Sequence, residues 1–292
     1  MAPNSAIVGV DLKLQIDGSL IGTQTDGSLS ISPDMRDILL KNTADGTPTD
    51  WQGRLSGKQE WEASHEGLVL NNSDEYHIAN GNAKLEIKAD PDGSGTKEYM
   101  EIPRLTSIDF TLSQEVAETG GLDRELWRYI RPAEREFEIS LSGSYLDPAA
   151  DLGSVYKALN DARNGSNRLP ARLTVYGKTF EGDVAIGPTE YSASTGGEDA
   201  EIDVTLMSDE ELVVSGDAFG TGVENIFTAF MNKSKVDVGM LKYDGGSVQS
   251  GATKMTGSGY FTSVDISISD GEEITCSTSV AGDGPISYSQ QS

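Results

Sequence analysis

Glu60-Trp-Glu-Ala-Ser-His-Glu-Gly67 and Glu136-Phe-Glu-Ile-Ser-Leu-Ser-Gly143 read as two versions of one segment. Each alternates a polar track (Glu60, Glu62, Ser64; Glu136, Glu138, Ser140) with a second track: Trp61, Ala63 and His65, or Phe137, Ile139 and Leu141. A strand with one buried face requires this period of two. Outward from this pair, the likeness continues. Lys13-Leu-Gln-Ile16 returns as Lys84-Leu-Glu-Ile87, and Ser28-Leu-Ser-Ile-Ser32 as Asp109-Phe-Thr-Leu-Ser113. Gly271-Glu-Glu-Ile-Thr-Cys-Ser-Thr-Ser-Val280 matches Gly197-Glu-Asp-Ala-Glu-Ile-Asp-Val-Thr-Leu206. The last match sets Cys276, Thr278 and Val280 against Ile202, Val204 and Leu206. It puts the lone Cys276 on the inward track, where a thiol behaves as a small apolar group.

Two amphipathic helices correspond as well. Residues 151–163 place Val155, Leu159 and Ala162 on one face and stop at Asn164-Gly165; residues 222–233 place Val223, Ile226, Phe227 and Phe230 on one face and end at Asn232. The order of these pieces predicts nesting. The first copy runs through its front strands to Leu70, a complete second copy follows, and only then do the first copy's helix and back strands arrive. The expected fold is mainly β: two similar domains, each with a flanking α-helix, one nested in the other. The outer domain takes residues 1–72 plus 218–292, and the inserted domain residues 73–217. The joins, Asn71-Asn-Ser-Asp74 and Ser215-Gly-Asp217, are polar and turn-prone, as insertion points should be. A crossed arrangement, each front half completed by the other copy's back half, fits the same residues; nesting needs less rearrangement.

The 292 residues carry 47 acidic against 22 basic side chains, a formal net charge of −25, and 33 glycines. Such a chain does not attract nucleic acid or an anionic membrane, since phosphate binding needs clustered Lys and Arg. The charge keeps a protein soluble, or lines a surface that repels nucleic acid. One cysteine excludes an intramolecular disulfide and a cysteine metal cluster. The amino-terminal stretch has no secretory pattern and no run has membrane-spanning length, so synthesis in a cytoplasm is expected.

Chemistry-bearing motifs are few. Asp90-Pro-Asp-Gly-Ser-Gly-Thr-Lys-Glu-Tyr-Met-Glu101 places Asp90, Asp92, Ser94 and Glu101 at positions one, three, five and twelve of a calcium loop. Its flanks look like strands rather than helices, and a hairpin turn rich in Asp and Gly explains the same residues. No nucleophile elbow, zinc helix, phosphate loop or paired catalytic carboxylate is recognisable, so no enzyme and no cofactor beyond this candidate Ca²⁺ site is expected. His65 lies on the second track and is expected to be structural, at a sheet edge. Two long stretches, residues 33–57 and 114–133, read as loops. The first carries Asp34, Met35, Arg36, Asp37 and Trp51, the second Leu122, Trp127 and Tyr129. A tryptophan in each favours a contact surface.

At this point a resemblance emerges. Ile7-Val-Gly-Val-Asp-Leu-Lys-Leu-Gln-Ile-Asp-Gly18, Leu29-Ser-Ile-Ser-Pro-Asp34 and Gly57-Lys-Gln-Glu-Trp-Glu-Ala-Ser-His-Glu-Gly-Leu68 resemble the front half of siphovirus major tail proteins. Gly251-Ala-Thr253, Gly259-Tyr-Phe-Thr-Ser-Val264, Gly271-Glu-Glu273 and Ala281-Gly-Asp-Gly284 resemble that family's closing strands. The matches cover most of the outer copy; each is short, and their order and spacing carry the specificity. The resemblance implies a β-sandwich or half-barrel whose subunits join sheets sideways into rings, stacked as the DNA-conducting tube of a non-contractile tail. It also implies a virion protein whose partners are itself, a tape measure and a tail terminator, and which DNA passes without tight binding. The first loop would then reach the neighbouring ring. Many members carry one domain per chain and form hexameric rings, whereas two like domains favour three chains in a pseudo-sixfold ring. The competing expectations are a distal-tail or baseplate hub protein of the same fold and a Ca²⁺-dependent β-sandwich binding module.

Overall fold

The computed structural model of the chain describes residues 12–20, 23–39, 52–71, 73, 78, 83–90, 96–119, 127–144, 153–165, 168–192, 200–244, 247–248 and 253–290. Its front strands are β1 (Leu12–Ile16), β2 (Ser19–Leu20), β3 (Thr23–Leu39) and β4 (Gln52–Leu68), followed by β5 (Ala83–Ala89), β6 (Glu98–Glu101), β7 (Leu105–Glu118) and β8 (Ile130–Ser144). Helix α1 (Gly153–Gly165) leads into β9 (Leu169–Val175), β10 (Lys178–Ser192), β11 (Glu201–Ser208) and β12 (Val213–Ser215). Helix α2 (Thr221–Met231) leads into β13 (Val236–Asp244), β14 (Ser247–Val248), β15 (Thr253–Ser269), β16 (Thr275–Gly282) and β17 (Ser287–Gln290). Among the described residues the chain is mainly β, with two helices and a large antiparallel sheet.

One order of pairing occurs twice. The strands β2, β1, β13, β15, β16, β4 and β3 follow one another antiparallel. So do β6, β5, β9, β10, β11, β8 and β7. The irregularities agree too. With Ser28 set against Asp109, the β3–β4 register shifts at Gln24/Asp26 and Pro33/Met35 coincide with the β7–β8 shifts at Leu105/Ser107 and Gln114/Val116. A bulge moves every later side chain by one place, so its position is a specified feature of a strand. The two ladders meet where residues 263–269 of β15 pair with residues 107–113 of β7, from Ser263↔Ser113 to Ser269↔Ser107. One antiparallel run, β10–β11–β8–β7–β15–β16–β4–β3, therefore crosses the whole sheet.

The apolar tracks of these strands form the core with the helices. Helix α1 buries Val155, Tyr156, Leu159 and Ala162, and α2 buries Val223, Ile226, Phe227, Ala229 and Phe230. Rings run from Phe110 on β7 to Phe180 on β10 (4.6 Å between centroids), Phe227 on α2 (5.3 Å) and Phe219 (5.9 Å). Trp61 donates Nε1–H to the Gly284 carbonyl at 3.0 Å, and its indole lies so close to β16 that a Cβ on Gly282 would sit 2.2 Å from Cε2. Cys276 is buried, and burial pushes its thiol up to about 12. At the joins, Gly220 N–H donates to the Leu70 carbonyl at 2.8 Å, and Asn71 bridges to Phe219. The chain thus leaves near residue 71 and returns to the same place near residue 219.

Three expectations change. The stretches 33–57 and 114–133 are not loops throughout. β3 continues to Leu39 against β4, with Met35↔Ser56 and Leu39↔Gln52, while β7 continues to Glu118, opposite Ile130. The bulges put these extensions out of phase with the strands they prolong, and their polar residues hide the alternation. His65 lies not on an edge strand but on β4, one strand in, where β3 and β16 flank it and it is buried.

An ion-pair cluster sits on β5 and β9. Arg172 Nε lies 2.8 Å from Glu86 Oε2, and Lys84 Nζ lies 3.1 Å from Oε1; Arg172 also stacks over the Tyr99 ring at 4.0 Å. Burial raises the Glu86 carboxyl, but the hydrogen bonds from Arg172 and Lys84 outweigh it and hold it below the usual carboxylate range. A depressed carboxyl contributes stability that is present above the unfolded value, about 4.3, and is lost as pH falls through the folded one. Glu86→Gln should therefore flatten the loss of stability between about pH 5 and 3 by about 1 kcal/mol, since Arg172 is partly solvated. Urea melts at the two pH values, compared with the parent, measure it.

Candidate functional site on the polar sheet face

The face of the eight-strand run opposite the core is mainly polar, with the exposed Met207 of β11 beside Glu138. Register fixes which residues share it, because directly opposed residues point the same way. Glu66 lies across from Ser277, Ser277 from Asp265, Asp265 from Thr111 and Thr111 from Glu138. The adjoining row runs Thr275, Ser267, Asp109, Ser140 and Thr205. Ser28, Ser30, Glu62 and Ser64 extend the face at one end, and Asp203, Glu201, Glu190 and Ser192 at the other. Among the described residues of rows 26–32, 60–66, 107–113, 136–144, 188–192, 201–207, 263–269 and 275–281, no Lys or Arg shares this face.

Hydroxyl groups do the pairing that cations do elsewhere. Ser267 Oγ–H donates to Asp109 Oδ1 at 2.5 Å across the β15–β7 junction, Ser142 donates to Asp203, and Ser192 Oγ–H donates to Glu201 Oε2 at 3.2 Å. The Ser28 and Ser64 hydroxyls lie 2.7 Å apart. Beyond these stretches cations do occur: Arg128 Nη1 meets Glu60 Oε2 at 2.8 Å, Lys58 Nζ meets Glu118 Oε1 at 2.6 Å, and Lys254 stands farther along β15. A sheet face with carboxylates and no cation presents a negative potential to anything that passes it, and repels phosphate.

No family profile matches the chain, and no curated protein does. Solved structures are similar over about half of it. The tail of an empty gene transfer agent particle, from a helical refinement with C6 symmetry, is 22% identical with a TM-score of 0.37, and the match covers 45% of this chain and 96% of that one. The SPP1 tail tube is 16% identical with a TM-score of 0.35, over 51% of this chain and 83% of that one. The baseplate of the anti-feeding prophage is 7% identical with a TM-score of 0.36, over 46% and 93%.

The residues singled out in the sequence are placed as follows. Asp34, Met35, Arg36 and Asp37 lie in the outer part of β3, with Arg36 opposite Leu55 and Asp37 opposite Arg54. Trp51 and Leu122 lie outside the described residues. Trp127 forms a parallel bridge with Gln59 and packs against the core, and Tyr129 accepts a backbone hydrogen bond from Thr119 N–H at 2.9 Å. Trp127, together with Arg128 N–H donating to the Gln59 carbonyl at 2.8 Å, joins the turn end of the β7–β8 hairpin to β4. In the calcium-loop motif, Asp92 and Ser94 lie outside the described residues. Glu101 faces Glu86 on the β5–β6 ladder, while Asp90 follows the far end of that ladder, beyond Ala89↔Glu98, so the pairing does not gather the two ends of the motif. Among the described residues no group of three or more His, Cys, Asp and Glu could hold a metal ion, and no helix is long and apolar enough to cross a membrane.

The polar face was only half visible in the sequence. Each strand shows its Ser, Thr, Asp or Glu track; their union into one surface depends on the β15–β7 pairing, which joins residues far apart in sequence.

Proposed function

We propose that the chain is the repeating subunit of a viral tail tube. It contains one tube-forming domain twice, with residues 73–217 inserted into the domain made of residues 1–72 and 218–292. The cation-free polar face carries this reading: it is the lining that a DNA conduit needs, because phosphates meet carboxylates and hydroxyls and find no basic group to hold them. The repeated ladder order, with its bulges in the same places, supports the duplication, and the approach of residues 71 and 219 supports nesting over a crossed arrangement. In this reading each domain is a half-barrel unit with one flanking helix. Chains join into rings with the polar face inward, and rings stack into a non-contractile tube within the virion. Two domains per chain give a pseudo-sixfold ring from three chains. The resemblance of the outer copy to siphovirus major tail proteins points the same way and adds a tape measure and a tail terminator as partners.

Electron microscopy of the concentrated, purified protein tests the reading. Hollow tubes of constant diameter are expected; a protein that stays monomeric at every concentration contradicts it.

A further inference from the structure

The internal junction between β15 and β7 has a counterpart that the chain does not complete. Val264 faces Thr278 on β16, and Thr189 faces Val204 on β11; Thr278 in turn faces His65 on β4, and Val204 faces Leu141 on β8. Thr189 therefore holds in one ladder the place that Val264 holds in the other. The same alignment equates Tyr191 with Ile266. On the other side of the junction, Ser28↔Ser64 and Asp109↔Ser140 equate Leu29 with Phe110 and Ile31 with Leu112.

The internal junction is dry: Leu112 is 2% exposed and Ile266 is 1% exposed. Their counterparts are open, Ile31 at 39% and Tyr191 at 51%. Among the described residues, β3 pairs with β4 alone, and beyond Val184 β10 pairs with β11 alone. One end of the eight-strand run is thus a copy of β7 without its β15, and the other a copy of β15 without its β7. An exposed strand edge with apolar side chains on its inner track is a template for another strand.

Resting on the tube reading, we propose that these two edges complete each other between molecules. The 189–192 edge of β10 in one chain takes residues 28–31 of β3 in the next, antiparallel, in the register set by the internal junction. Thr189 then lies opposite Ile31, Glu190 opposite Ser30, Tyr191 opposite Leu29 and Ser192 opposite Ser28. Pro188, which has no N–H to give, marks the start of the ladder. The contact is head to tail, so it propagates and closes into a ring, and it brings the polar faces of successive chains into one surface.

A cysteine pair reads the register. Directly opposed residues stand about 5 Å apart, within disulfide reach, whereas diagonal neighbours stand about 7–8 Å apart and outside it. The doubly substituted chain Glu190→Cys/Ser30→Cys, assembled and then oxidised with diamide, should form intermolecular disulfides through most of its chains. The offset pair Glu190→Cys/Ser28→Cys should give at most about a tenth as much, and each single substitution no cross-linked ring; the native Cys276 is buried and does not compete. If assembled protein leaves the matched pair unlinked, or links the offset pair as well, the edge pairing is wrong while the tube reading stands. If the parent chain never assembles, both fall.

Discussion

Ile31→Lys is expected to leave the chain folded and unable to assemble. In the isolated molecule Ile31 is 39% exposed on a strand with one neighbour, so a lysine there projects into solvent and changes stability by no more than about 0.5 kcal/mol. In the proposed contact the same position becomes the counterpart of Leu112, which lies sealed between β8 and β15 at 2% exposure. An ammonium group placed there loses its water and gains no partner, at a cost of several kcal/mol for each junction. Natural edge strands use lysine to prevent unwanted pairing for this reason. Sedimentation should show monomers at concentrations at least about 100-fold above those at which the parent chain assembles, with an unchanged melting temperature. Ser30→Ala, one residue away but on the polar face, should assemble as the parent does. Normal assembly of the Ile31→Lys chain would remove β3 from the interface.

Phe110→Ala is expected to produce the largest loss of stability, about 3–5 kcal/mol, out of a total of roughly 5–15 kcal/mol for a folded domain. Phe110 is fully buried and packs at a tilt against Phe180, which packs likewise against Phe227. This row crosses from β7 and β10 to α2, so it couples these two strands to the helix that follows them. Truncation removes both the ring's burial and its contacts, and the sheet on which it stands cannot collapse into the space. Urea unfolding measures the effect as a lowered midpoint. Combined with Phe227→Ala, the loss should fall short of the sum by at least about 0.5 kcal/mol, because the two rings share Phe180. A loss below about 1 kcal/mol would show that the aromatic row does not hold α2 to β7 and β10.

Much of the architecture was written in local pattern. The alternation around Trp61 and Phe137 identified β4 and β8, and the apolar stripes of α1 and α2 were read nearly to the residue, since helical and strand periods are set by neighbours only a few places apart. The outer parts of β3 and β4 were not legible. Pro33 and the polar residues beyond it look like a loop, and the bulge between Pro33 and Met35 breaks the phase. His65 misled in a different way. Its polar identity suggested an edge, whereas strands on both sides bury it. The polar face itself lay beyond reach, because Asp109 and Ser267 become neighbours only through a pairing of residues 158 places apart. No period in the sequence carries that information. For the calcium motif, spacing offered both a Ca²⁺ site and a hairpin turn; the β5–β6 register places Glu101 opposite Glu86, while Asp92 and Ser94 lie outside the described residues.

A density map of the assembled protein, cut perpendicular to its axis, tests the central claim most directly. The account predicts a closed ring of three chains in which β10 of each molecule lies against β3 of the next, with Glu66, Asp109, Glu138 and Asp265 facing the lumen. A ring with these carboxylates on its outer surface, or an assembly that leaves β3 and β10 as free edges, would contradict it.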